Sequence, residues 1–112
     1  MVLLNQGIND VRDLISAAIN TGQAGTDSTP AQDDQTDLLA PVANTNNAVT
    51  VVTSDKTIKI THTVSSVEAD GEDLVEWITD IASVAAMRVV SNTISKDTDH
   101  QVDHIWTLTL TQ

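Results

Sequence analysis

The sequence predicts a mainly β protein, a β-sandwich or jelly-roll-like domain preceded by one amphipathic helix and an extended arm. Three observations carry this. Short runs such as TIKITHTV (57–64) and IWTLTLT (105–111) alternate apolar and polar residues with the two-residue period of a strand. Polar turns separate such runs at short intervals through the second half of the chain. Only the first segment shows helical spacing, and the stretch after it shows no period at all.

In that first segment Ile8, Val11, Leu14, Ile15, Ala18 and Ile19 recur at three and four residues and form one apolar stripe. Asn9 is the predicted N-cap, Asp10 and Asp13 suit the positive end of the helix dipole, and Gly22 is the predicted stop. The segment 1–22 is therefore read as a helix that packs on its own sheet or, in part, on a neighbouring subunit. From 23 to 47 the chain is small and polar, punctuated by Gly25 and Pro30, with Leu38, Leu39, Pro41 and Val42 as a short anchoring patch. A structureless connection this long is uncommon inside a compact domain. It reads as a linker, or as an arm lying on another surface.

The β-domain spans 48–112 and forms a single structural unit with what precedes it. VTVVT is a short strand, and Ser54 and Asp55 make a turn. In the next strand Ile58, Ile60, His62 and Val64 share one face. VEADGED supplies an Asp-Gly turn. LVEWITDIA is apolar and β-rich, and SVAAMRVVSNTI reads as strand more than helix. After the turn KDTDHQVD, the last strand sets Trp106, Leu108 and Leu110 on one face, and Trp106 is expected to be largely buried. Glu76 and Arg88 interrupt two successive apolar runs, as a cross-strand ion pair would.

Composition narrows the function. The chain has 112 residues, no cysteine, no Phe or Tyr and two Trp. That length makes one domain able to bury roughly two-thirds of its unfolded surface. Disulfides and thiol chemistry are excluded. The core must be Val, Ile, Leu and Ala. No apolar stretch is long enough to span a bilayer, and the first ten residues lack the basic and apolar regions of a signal peptide. The chain is expected to be made in the cytoplasm and used or assembled there. Sixteen acidic against five basic residues give a net charge of −11. Nucleic acid and anionic membrane are poor partners for such a surface. A halophile's surface is the preferred reading, since in molar salt the Debye length is about 3 Å and self-repulsion is screened.

No catalytic constellation is recognisable. GQAG lacks the Gly-Lys-Ser/Thr of a phosphate loop, and no serine sits in a nucleophile elbow. His62, His100 and His104 are read as ordinary half-buried histidines, not as metal ligands. Asp33, Asp34 and Asp37, like Asp97, Asp99 and Asp103, read as solvated acidic turns. The second cluster lacks the glycine of a calcium loop and has Leu108 where the distal Glu would stand. No enzyme activity, metal or cofactor is expected.

The order of features resembles a family of small structural proteins of tailed phages and tailed archaeal viruses, tail-fibre or virion-appendage proteins. NQGINDVRDLISAAINTGQAGTDST resembles that family's opening helix and Gly-Thr-rich arm, and DQTDLLAPV its short anchoring step. ITHTVSSVEADGEDLVEWITDIAS resembles its strand, Gly turn and Glu-containing strand. MRVVSNTISKDTDHQVDHIWTLTLTQ resembles its Arg-bearing strand, Ile-x-Lys step and final Trp strand. The chain departs from the pattern where Trp77 directly follows Glu76. The resemblance implies a virion component assembled in the host cytoplasm, with Glu76, Arg88, Lys96 and Trp106 as structural pattern positions. It also implies a homo-trimer or homo-pentamer that meets other virion proteins on a turret, neck or tail appendage. Ile8, Val11, Ile15, Leu38, Leu39 and Val42 are the expected oligomer contacts. A host-surface or glycan-binding module is the alternative, disfavoured by the scarcity of aromatic residues.

Overall fold

The computed structural model describes residues 4–110. One helix, α1 (Asn5–Ala18), precedes seven strands: β1 (Thr21–Gly25), β2 (Asn47–Ala48), β3 (Thr50–Ser54), β4 (Thr57–Val64), β5 (Asp73–Ile81), β6 (Val84–Ser95) and β7 (Val102–Thr109). They form two antiparallel sheets, β2-β1-β5-β6 and β3-β4-β7. The fold is thus mainly β, with two sheets and one N-terminal helix.

The alternation in β4 does what its pattern predicts. Ile58, Ile60, His62 and Val64 are all buried. Between the sheets, Ala24, Val64, Leu74 and Trp77 form one core cluster, joined by Val102 and Trp106. Ile19, Ile58 and Ile60 form a second, joined by Ile15, Met87 and Leu108. Strand β5 is different: Leu74 to Thr79 are buried on both faces. Its inner face meets the opposite sheet, and its outer face lies under the segment 26–46.

The helix starts earlier and stops sooner than its sequence signals suggest. Leu4, an extended residue with no side-chain cap, precedes it, and Ile19 ends it. Asn9, the expected cap, lies inside the helix with its Oδ1 buried and unbonded among the described residues. Tertiary bonds set the stop. The Ala18 carbonyl accepts the Ala82 N–H at 2.8 Å, and Asp80 Oδ1 accepts the N–H groups of Asn20 and Thr21 at 2.8 and 3.0 Å. These bonds turn the chain into β1, so Gly22 is a strand residue and not a helix stop. It pairs with Thr79. A Cβ at Gly22 would come within 2.9 Å of the His62 ring, so the inter-sheet packing there requires glycine.

The expected single apolar stripe of α1 is two. Ile8, Ile15 and Ile19 face the protein, whereas Leu4, Val11 and Leu14 face outward, with Leu4 and Leu14 each 73% exposed. Of the expected oligomer contacts, Ile8 and Leu38 are buried within the protomer, and Ile15 and Val42 pack on its own core. Val11 and Leu39 remain exposed.

Candidate functional site

The arm after β1 is fastened to the outer face of β5 by one carboxylate. Glu76 is fully buried. Its Oε2 accepts the Leu39 N–H at 3.1 Å and its Oε1 accepts the Ala40 N–H at 2.7 Å. Arg88, on the neighbouring strand, donates to Glu76 Oε2 from Nη2 at 2.7 Å and from Nε at 3.0 Å. The remaining guanidinium capacity goes to the arm: Nη1 donates to the Thr29 carbonyl at 2.9 Å. The cross-strand ion pair expected from the sequence is present, but its role is larger than pairing. It supplies buried partners to the Leu39 and Ala40 N–H groups of a segment that joins the sheet only through a single bridge, Pro41 to Gly25. Gly25 stands directly opposite Glu76, and a Cβ there would meet the Glu76 carboxylate and lie 2.6 Å from the Ala40 carbonyl. The sequence pattern does not reveal this use of Gly25.

A hydroxyl fastens the far end of the arm. Thr45, fully buried, accepts the Ala24 N–H at 3.1 Å and donates to the Val42 carbonyl at 2.7 Å. Lys96 has a comparable role on another loop. It is 3% exposed, and its Nζ donates to the Ser66 carbonyl at 3.0 Å. Its own N–H and C=O pair with the Glu72 carbonyl and the Gly71 N–H, each at 2.9 Å. Glu76, Arg88 and Lys96 are therefore all structural ties in this fold.

Between the sheets lies a group that the sequence did not link together. His62 and His104 are direct partners across β4 and β7. The His104 ring stacks on Trp77 at 4.4 Å and 7° and meets Trp106 edge-on at 5.0 Å, while His62 meets Trp77 edge-on at 5.8 Å. His62 Nε2 lies 2.8 Å from the Thr45 carbonyl, which can only accept, so Nε2 carries the proton and Nδ1 is bare. The Nδ1 atoms of both histidines and Trp106 Nε1 are buried without a hydrogen bond among the described residues. Burial holds the His104 pKa down to about 4, with the nearby His62 adding to the effect. Burial also lowers that of His62, against opposing pulls from the Thr45 carbonyl and Glu68. Burial thus favours the neutral form of both rings.

Trp106 packs against both core clusters with its Nε1 buried, as its strand phase predicts, but its indole is not fully enclosed. The phase itself holds, since His104, Trp106 and Leu108 turn inward while Ile105 and Thr107 turn out. The remaining exposure arises because β7 is the last strand of its sheet and β6 the last strand of the other. Where these two edges face each other, a groove of about 250 Å³ runs between Met87 and Val89 on one side and Ile105, Trp106 and Leu108 on the other. Trp77, one sheet over, is the fully buried indole. Its place in LVEWI, where apolar residues fall on both faces of the strand with only Glu76 between them, was the available signal, because such runs mark strands covered on both faces.

Elsewhere the acidic turns are plain. His100 Nδ1 pairs with Asp97 Oδ1 at 2.6 Å on the exposed β6–β7 turn, and Asp97 also accepts the Asp99 N–H at 3.0 Å. Among the described residues no three His, Asp or Glu side chains are placed to hold a metal ion. No helix of the described residues is long and apolar enough to cross a membrane. Comparison of the chain with family models, with curated proteins and with solved structures gives no match in any of the three. The resemblance to tailed-virus appendage proteins rests on the residues quoted for it.

Proposed function

We propose that this protein is a structural subunit of a tailed-virus particle from a halophilic host, acting as one copy of a homo-oligomer. The observation that supports an assembling subunit is the pair of bare edge strands. β6 is twelve residues long and β7 is eight, and each ends its sheet. β7 carries no Lys, Pro or covering helix of the kind by which monomeric proteins blunt such edges, and β6, although two register shifts against β5 interrupt it, has no Lys or Pro and turns its one charge, Arg88, to the buried Glu76. By contrast, the edge at β2 is two residues long and that at β3 lies beside α1. In a subunit surrounded by neighbours, long unprotected edges serve association. The glycan-binding alternative has less support, because Trp77 is enclosed and Trp106 packs edge-on against His104.

The test is mass spectrometry of purified particles from a culture that carries the gene. The chain should appear with the other structural proteins, at a copy number that is a multiple of its oligomer. Its absence from particles in which minor structural proteins are detected would end this reading.

A further inference from the structure

We infer that the β6–β7 seam is a homotypic interface, in which a second copy of this chain pairs its β7 edge antiparallel to the first across a two-fold axis. This rests on the assembling-subunit reading and names the surface and the partner. Two bare edges lie side by side on one flank of the protein, with an apolar groove between them. Antiparallel pairing of β7 with β7 requires a two-fold axis perpendicular to the sheet. Where two sheets are stacked face to face, the same axis also brings β6 against β6. One symmetry operation can therefore extend both sheets through the contact, and isologous two-fold contacts are the commonest closed arrangement. Met87, Val89, Trp106 and Leu108 would then be covered by their own counterparts.

Charge selects the partner. Each chain carries −11, so two copies repel over most of their surface. The seam is where they need not. β6 contains no carboxylate, and the only one in β7, Asp103, is turned to Thr63, whose hydroxyl donates to it at 2.7 Å. A basic partner would find only Asp103 to pair with there and would be drawn more strongly to the exposed acids of the arm and turns. An acidic partner other than a copy would need a neutral edge of its own. A copy has one by construction. Apolar and aromatic side chains with depleted charge are the composition of a buried interface core.

The chain has no cysteine, which permits a clean cross-linking test. Single cysteines are placed at Ile105, Thr107 and Thr109 on the outward face of β7, with Val67→Cys on the exposed β4–β5 loop as control. In molar KCl under mild oxidation, at least one β7 variant should give a covalent dimer within minutes, and Val67→Cys should not. Ile105→Lys and Val89→Lys, both at exposed positions, should shift the protein from dimer to monomer in light scattering while the far-ultraviolet circular dichroism stays unchanged. A wild-type protein monomeric at several hundred micromolar would overturn the inference. So would an oligomer of any number that ignores both lysine variants and gives no β7 cross-link. A trimer or pentamer would overturn the two-fold form. The two readings fail separately. A chain found in particles but monomeric in solution removes this interface alone, and a seam dimer absent from particles removes the virion role alone.

Discussion

Single side chains on this scaffold act mainly by ending other people's hydrogen-bond problems, and Glu76 and Arg88 are the clearest case. Their charges are both enclosed, with Glu76 side-chain exposure at 0% and Arg88 at 5%. Removing Arg88 leaves a buried carboxylate without its counter-charge. Arg88→Ala should therefore cost about 3–5 kcal/mol, more than the double variant Glu76→Gln/Arg88→Met, which buries no charge. Denaturant midpoints in molar salt measure both, and proteolysis should cut the segment 26–46 first in Arg88→Ala. Equal losses in the single and double variants would show that the guanidinium contributes by packing alone. The histidine pair makes the second prediction at this scale. Both imidazoles have folded pKa values below the ordinary 6.5, His104 at about 4. Between those limits the unfolded chain binds more protons than the folded one, so stability rises with pH. It is fully present above about 6.5 and is lost as pH falls toward 4, by on the order of 2–3 kcal/mol for His104. His104→Phe keeps a ring on Trp77 and should flatten the slope of urea midpoint against pH over that interval. An unchanged slope would place the acid sensitivity elsewhere.

The elements differ in how much of them could be read in advance, and the differences have causes. β4 and β7 were legible because each has one buried and one exposed face, so the residue period survives in the sequence. The strand character of β6 was legible from its Met, Val and Thr content. β1 was not, because Thr-Gly-Gln-Ala-Gly has neither alternation nor β-branched density, and its place in the sheet is dictated by neighbours that need a residue without a side chain. The pairing of Glu76 with Arg88 was legible, whereas the arm it holds was not, since nothing in the sequence tells an arm that lies on its own sheet from one that lies on a neighbour's. The β5–β6 turn was equally silent. Ala82 and Ser83 both have positive φ, 53° and 65°, between the paired residues Ile81 and Val84. This is the hairpin geometry that ordinarily selects Asn-Gly. The Ala82 N–H bond to the end of α1 holds it in place. Ala82→Asn/Ser83→Gly should therefore stabilise the protein by about 1 kcal/mol, raising the melting temperature by several degrees. A lower melting temperature would mean that the Ala-Ser turn is favoured by contacts beyond its backbone.

At the scale of the whole molecule the dominant quantity is charge, and the fold makes its imbalance worse at the surface than the composition suggests. Two of the five cations, Arg88 and Lys96, are committed to buried ties. Arg12, Lys56 and Lys59 remain to oppose the exposed acids, and Arg12 already pairs with Asp13 at 2.8 Å. The small apolar core has to hold the chain together against this repulsion. Salt at about 1 M shortens the Debye length to about 3 Å and weakens repulsion between exposed carboxylates, while the enclosed Glu76–Arg88 pair is screened far less. Stability should therefore rise steeply from dilute buffer to molar KCl, with a melting temperature higher by ten degrees or more. The gain should be nearly the same in NaCl, since screening depends on ionic strength and not on the ion. Millimolar calcium should not replace it. Restoration by one or two equivalents of calcium would reveal a specific cation site among the acidic turns, and full stability in dilute buffer would remove the argument that this surface is adapted to high salt. The same titration bears on assembly. If copies meet at the charge-poor seam, dimer should gain on monomer over the salt range in which the fold itself is stabilised, because screening lowers the repulsion between whole chains and leaves the apolar contact intact.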